Sequence, residues 1–149
     1  VTTLHALCGL PASGKSTLAP LLAADTPGSV VVLTADAVRL ERASPALVFR
    51  WLHNSLERAL SLGISVVVDS CALRPRERAR LLGVGKRLGV YCALTIVTTP
   101  WQTCVERDRM RVEPSTIQWP AAMQLMRRVL QDTPSEGWDA IHYHMGAGQ

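Results

Sequence analysis

The chain has 149 residues, 48% of them hydrophobic and 19% charged, enough for a single domain with one buried core and too apolar for extensive disorder. Sixteen basic residues against twelve acidic ones leave a net charge of +4, which suits a phosphate-rich ligand or polyanion without identifying one. No apolar run reaches membrane-spanning length, and the first thirty residues lack the basic-then-apolar pattern of a secretory signal, so neither a membrane partner nor export is expected.

The first apolar run, residues 3–8, reads as a buried strand. It feeds Gly9-Leu10-Pro11-Ala12-Ser13-Gly14-Lys15-Ser16-Thr17, a match to G-x-x-x-x-G-K-[ST]. In that pattern the glycines let the backbone curl so that amides point at phosphate oxygens. The lysine reaches the β and γ phosphates, and the hydroxyl after it is placed for Mg²⁺. Lys15 and Ser16 hold those two positions. The helix expected over 15–24 adds the positive end of its dipole to the anion site. An ordinary glycine-rich turn is the alternative, but it explains neither the strand and helix on either side nor the placement of one of only two lysines. A bound nucleoside triphosphate is the expectation.

A turn at Thr26-Pro27-Gly28 leads into a strand over 30–34, and residues 35–39 start a short helix. Val48, Leu52, Leu56 and Ala59 recur at helical spacing across 45–62, and Gly63 closes that helix. A strand over 64–68 ends at Asp69. Pro75 opens a helix running to about 88, with Leu81, Leu82 and Leu88 apolar, and a strand over 90–98 follows. A helix over 100–111 is broken at Val112-Glu113-Pro114. The last helix, 120–131, carries Ala122, Met126, Val129 and Leu130 on one face, and residues 138–143 form a short fifth strand.

Strands alternating with helices predict an α/β fold, a parallel sheet covered on both faces. Ligands of such sheets bind at the carboxyl ends of the strands. The first three strands end at Cys8-Gly9, Thr34-Ala35-Asp36 and Val68-Asp69-Ser70, so the phosphate loop and two carboxylates are expected on one edge.

Three absences narrow the chemistry. There is no Asn-Lys-x-Asp or Thr-Lys-x-Asp guanine signature and no L-S-G-G-Q motif, and Asp69 is followed by Ser70 rather than by a water-polarising glutamate. Transfer to a bound hydroxyl fits better than hydrolysis coupled to motion. Such a transfer needs an in-line acceptor, an acid to take its proton and cations over the moving group. Asp36 is the candidate base, with Arg39 three residues on to hold the acceptor; capping of the helix that follows is the alternative for Asp36. Asp69 suits Mg²⁺ through water or an acceptor contact beside Ser70, or is a plain strand-end turn residue. Arg107 and Arg111, four apart on a helix, can face the triphosphate, whereas Arg109 points elsewhere. A surface helix with ion pairs among Glu106, Asp108, Arg109 and Arg111 is the alternative there.

Eleven of the sixteen basic residues lie between Arg74 and Arg128, against four acids, which reads as a polyanion-binding surface or as a solvated arginine-rich one. Cys8, Cys71, Cys92 and Cys104 form no C-x-x-C pair, so reduced core thiols and a cytoplasmic location are expected. His142 and His144 share one face of the late strand, half of a metal site with no third ligand beside them.

GLPASGKSTLA, TADAVR, VVVDS and TCVERDRMR, in that order, resemble the P-loop kinase family that includes the 5′-hydroxyl polynucleotide kinases and, more distantly, the zeta toxins. The resemblance implies a P-loop kinase fold over residues 1–149, with about five parallel strands in the order 2-3-1-4-5 between helices. It implies ATP as phosphoryl donor, held by residues 9–17 with Arg107 and Arg111, and Mg²⁺ held by Ser16 and, through water, by Asp69. Catalytic roles fall on Asp36, Lys15, Arg107 and Arg111, and acceptor contacts on Asp36, Arg39, Asp69 and Ser70. The sequence departs from the family where Asp-x-x-Asn is common, with Asp69-Ser70-Cys71-Ala72, and in having Ala37 after Asp36. The acceptor implied is a polynucleotide 5′-hydroxyl, a single-stranded nucleic acid end. A kinase acting on a sugar, nucleoside, antibiotic or other metabolite stays open, as does an ATP-binding regulatory module without chemistry of its own.

Overall fold

The β-branched and leucine-rich runs pair as one parallel sheet of β1 (Thr3–Cys8), β2 (Val30–Thr34), β3 (Ser65–Asp69), β4 (Tyr91–Val97) and β5 (Ala140–His144), in the order β2-β3-β1-β4-β5. The computed structural model describes residues 1–35, 44–112 and 114–145. The expected class, strand number and strand order are all observed. Parallel neighbours need crossover connections. These run through α1 (Lys15–Asp25), α2 (Pro45–Ser61), α3 (Pro75–Arg87), α4 (Trp101–Arg109) and α5 (Trp119–Asp132). The expected short helix at 35–39, with Asp36 and Arg39, lies outside the described residues beyond Ala35.

Successive strand side chains point to opposite faces, and the core divides accordingly. Leu4, Ala6 and Cys8 of β1 join Val66 and Val68 of β3 in the larger core, with Leu52 and Leu56 of α2 and Leu81 and Leu82 of α3. Leu7, Val67 and Val97 turn the other way, onto Leu18 and Ala19 of α1. Ala122 and Val129 of α5 are buried as their spacing predicts, but Leu130 is exposed and borders a shallow apolar groove with Trp101, Met123 and Met126.

Two element ends differ from the sequence pattern. Helix α4 stops at Arg109 rather than 111, because the chain beyond it turns back onto Asp108. Strand β5 begins at Ala140 rather than 138: Trp138 is turned into the core, its indole N–H donating to Glu136 Oε1 at 3.0 Å. On β5, His142 packs near His5 of β1, ring centroids 6.2 Å apart, and His5 Nε2 lies 2.6 Å from Thr95 Oγ1. Burial, with His142 adding a smaller share, pushes the His5 pKa down to about 4, so the ring packs in its neutral form. Among the described residues no three His, Cys, Asp or Glu side chains cluster as a metal site.

Register places the strand ends. Thr34 pairs with Asp69, and Cys8 with Ile96, so β1, β2, β3 and β4 finish at one edge of the sheet.

Candidate active site

The phosphate loop is built on backbone that only small residues allow. A Cβ on Gly9 would come within 3.0 Å of Ser13 Oγ and 3.1 Å of the Val97 carbonyl oxygen, so the strand exit has no space for a side chain. Gly14 takes φ 103°, a left-handed conformation that glycine adopts without strain. Ala12 is also left-handed, at φ 61°, held between the Ser13 N–H to Leu10 O bond and the arginine described below. Helix α1 starts at Lys15 with no side-chain cap; the Thr17 and Leu18 N–H groups donate to Gly14 O at 3.2 and 3.1 Å, and those of Lys15 and Ser16 precede them at the end of the helix that attracts an anion. Ser13 Oγ is fully buried and has no hydrogen-bond partner among the described residues, while Ser13 O accepts from Thr99 Oγ1 at 2.6 Å.

Lys15 is buried, its ammonium folded back onto Leu10 O at 2.9 Å. Ser16 Oγ donates to Asp69 Oδ2 at 2.9 Å, joining the loop to the end of β3. From α4, Arg107 Nη1 donates to Ala12 O at 3.5 Å. A cavity of about 440 Å³ lies over these groups, bordered by Pro11, Lys15, Thr17, Arg107, Arg111 and Ser115. Arg109 is exposed and outside it.

A second cavity, about 480 Å³, shares Pro11, Lys15, Cys71 and Ser115 with the first and extends past Asp69 and Ser70 to α5. Ala35, the residue before Asp36, also borders it. The structure therefore brings together Lys15, Ser16, Asp69, Ser70, Arg107 and Arg111, while Asp36 and Arg39 lie outside the described residues. The thiols nearby are core groups: burial pushes Cys8 up to about 12 and raises Cys104.

Two contributors escape sequence reading. Asp108, 3% exposed, accepts from the Ser115 N–H at 3.1 and 3.2 Å and from Ser115 Oγ at 3.1 Å, with Arg111 Nη1 3.6 Å away. The expected surface ion pair with Arg111 exists, but on a buried carboxylate that pins the chain after α4 over both cavities. Arg78, 1% exposed, donates from Nη1 to Ala72 O and Leu73 O, both at 2.9 Å, and from Nε and Nη2 to Glu136 at 2.9–3.1 Å. It sits three and four residues before Leu81 and Leu82, on the apolar face of its helix, which is the one sequence signal that it is not a surface arginine.

The Asp108 arrangement predicts that Asp108→Asn lowers stability by about 1–2 kcal/mol in urea unfolding. The same substitution is expected to weaken nucleotide binding several-fold, about 1 kcal/mol by calorimetric titration, because Arg111 and Ser115 lose the charge that orients them. An unchanged affinity would remove the orienting role.

The other eight basic residues of the arginine-rich stretch are exposed, and four of them lie beside acids. Arg74 lies 3.7 Å from Glu77, Lys86 3.9 Å from Asp139, Arg87 3.0 Å from Glu57 and Arg128 3.8 Å from Asp132.

Among solved structures the chain is similar to Chaetomium thermophilum Kti12 in complex with ADP-AlF3, at 17% identity and TM-score 0.72 over 98% of this chain and 90% of that one. It is similar to a chain of the Pnkp1/Rnl/Hen1 RNA repair complex, at 19% identity and TM-score 0.73 over 89% of this chain and 45% of that one, less than half its length. It is also similar to Mycobacterium tuberculosis APS kinase CysC in complex with AMPPNP and APS, at 21% identity and TM-score 0.63 over 95% and 88%. At these identities the likeness is one of fold. No curated protein matches the chain by sequence. Residues 4–133 match the AAA_33 family, an AAA domain. With its loop over residues 9–17 and its β2-β3-β1-β4-β5 sheet, the chain belongs to that family and carries the P-loop kinase-like, nucleotide-binding fold.

Proposed function

We propose that the chain is an ATP-dependent phosphotransferase, a single P-loop kinase domain that moves the γ-phosphoryl group of ATP to an acceptor hydroxyl. The observation that carries this reading is the pair of cavities meeting along Pro11, Lys15, Cys71 and Ser115. A hydrolase needs space for one water beyond the γ-phosphate, whereas a transferase needs room for an acceptor in line with it.

In this reading the triphosphate lies on the loop of residues 9–17 and draws Lys15 away from Leu10 O toward the β and γ phosphates. Arg107 and Arg111 neutralise charge on the transferring oxygens. The Ser16 hydroxyl and the Asp69 carboxylate, 2.9 Å apart, are hard oxygen donors of the kind Mg²⁺ takes and would hold the ion there. When bound, the ion would neutralise charge on the phosphate oxygens. Asp36 takes the proton of the acceptor hydroxyl as its oxygen bonds to the γ-phosphorus. The bond from that phosphorus to the β–γ bridging oxygen breaks, and ADP leaves. Arg39, Asp69 and Ser70 hold the acceptor. The pairing of Thr34 with Asp69 supports this assignment, since Asp36 is two residues further along the same chain.

Incubation with γ-labelled ATP and Mg²⁺ tests the proposal, since label must move to an acceptor rather than to water alone. Asp36→Asn is expected to cut transfer by about 10²–10⁴-fold. ATP affinity, followed by calorimetry, stays unchanged, and retained transfer would move the base elsewhere. A polynucleotide 5′-hydroxyl is a second reading of the acceptor, favoured by the TADAVR element and by the fold likeness to the RNA repair complex chain. Four free cysteines support a cytoplasmic enzyme, and among the described residues no helix is long and apolar enough to cross a membrane.

A further inference from the structure

We infer that the acceptor is a small uncharged alcohol with an apolar body, of nucleoside or sugar-derivative size, and not the end of a polynucleotide. The inference rests on the phosphotransfer reading and names the acceptor class for the same site.

The second cavity, at about 480 Å³, falls within the ~300–1,000 Å³ of pockets that enclose a small ligand. Much of its wall is apolar, from Phe49, Leu73, Ile117, Ala122 and Leu125. Its neutral hydrogen-bonding groups are few: Ser70, Ser115, Thr116 and Gln118. That combination of an apolar body site with a few convergent polar groups is how a protein orients one compact molecule. Residues 115–118 reach the cavity from a segment pinned at Ser115 by the buried Asp108.

Charge points the same way. Among the described residues the wall holds two carboxylates, Asp69 and Glu77, and two cations, Lys15 and Arg74. Lys15 belongs to the phosphate loop, and Arg74 Nε lies 3.7 Å from Glu77 Oε1. A polynucleotide end brings a phosphate to the sugar beside the reacting one, and proteins hold such strands with Lys and Arg along successive phosphates. A wall whose described charges are balanced by its own carboxylates attracts that backbone poorly. Lys86, Arg87 and Arg128 do not border the cavity and are paired with Asp139, Glu57 and Asp132.

The test gives the chain γ-labelled ATP and Mg²⁺ in two arms. One holds uncharged nucleosides and sugar derivatives together with the dialysable small-molecule fraction of a cell extract. The other holds 5′-hydroxyl RNA and DNA oligonucleotides. Label is expected on a small alcohol, with kcat/KM exceeding that for any oligonucleotide by about 10²-fold or more. Ala121 borders the cavity from the exposed side of α5, so Ala121→Trp fills it with little cost to the fold. That variant is expected to raise the acceptor KM about tenfold or more while the ATP Kd stays constant. Efficient labelling of the oligonucleotides, weakening steeply with salt, overturns this inference and leaves the kinase reading standing. Hydrolysis alone, or no turnover, in both arms removes the phosphotransfer reading and the acceptor class with it.

Discussion

Lys15→Ala is expected to abolish the thermal stabilisation that ATP with Mg²⁺ confers on the wild-type chain. A ligand held at a hundred times its Kd stabilises the folded state by about 2.7 kcal/mol, and in a chain of this size each kcal/mol moves Tm by about 2–4 °C. A wild-type shift of about 5–10 °C should therefore be readable by differential scanning fluorimetry, and the variant should show none. Phosphoryl transfer should fall by at least about 10²–10³-fold, as it does when one preorganised electrostatic group is removed from a developing charge. The unliganded variant should unfold close to the wild-type temperature. Its lost contact is one bond from a buried ammonium to Leu10 O, and removing a poorly solvated charge offsets that loss. A variant that still shifts with ATP would show that the loop binds nucleotide without its lysine.

The second large effect is at Arg78. Arg78→Leu leaves the Glu136 carboxylate without its guanidinium and strips the Ala72 and Leu73 carbonyls of their donor. Breaking one side of a buried pair costs about 3–5 kcal/mol, so Tm should fall by about 6–20 °C. The effect should reach the site as well. Ala72 is held at φ 47°, which an alanine adopts only under constraint, and the residue before it, Cys71, accepts from the Gly9 N–H at 3.0 Å and borders both cavities. Freed from Arg78, the 70–73 turn should relax, and transfer at a temperature where the variant is folded should drop more than ATP affinity does. The double variant Arg78→Met, Glu136→Gln should recover part of the stability, since it leaves no charge unpaired. If it recovers none, the turn itself and not the buried charge is the source of the loss.

Much of the fold was legible because local rules and tertiary packing agree. The runs at 30–34 and 65–69 are short, β-branched and bounded by turn residues, and they form β2 and β3 within a residue of the expected limits. Val48, Leu52 and Leu56 are buried where helical spacing puts them. The misread ends share one cause. Asp108 ends α4 early by capturing Ser115 seven residues on, and Trp138 delays β5 by turning inward toward Glu136. Both depend on a buried polar group finding its partner, which no propensity or periodicity encodes.

For the site, the phosphate loop can be read from residues 9–17 alone, because a strand, two glycines, a lysine and a hydroxyl at fixed spacing specify one backbone path. The parallel sheet and the convergence of strand ends follow from the alternation of elements. Tertiary structure alone decided the rest. Arg78 and Asp108 look like surface charges until the fold buries them, and a buried charge must be paired, so each becomes a fixed point that shapes the chain around it. The arginine-rich stretch counts as one basic feature in the sequence, yet folding spreads it over separate helices beside acids from elsewhere in the chain. A charge total is a property of composition, whereas the field inside a cavity depends on which side chains end up within a few ångströms of it. That is why residues 9–17 could announce the nucleotide, while the character of the second cavity emerged only when Leu73, Glu77, Ile117 and Leu125 came together across the fold.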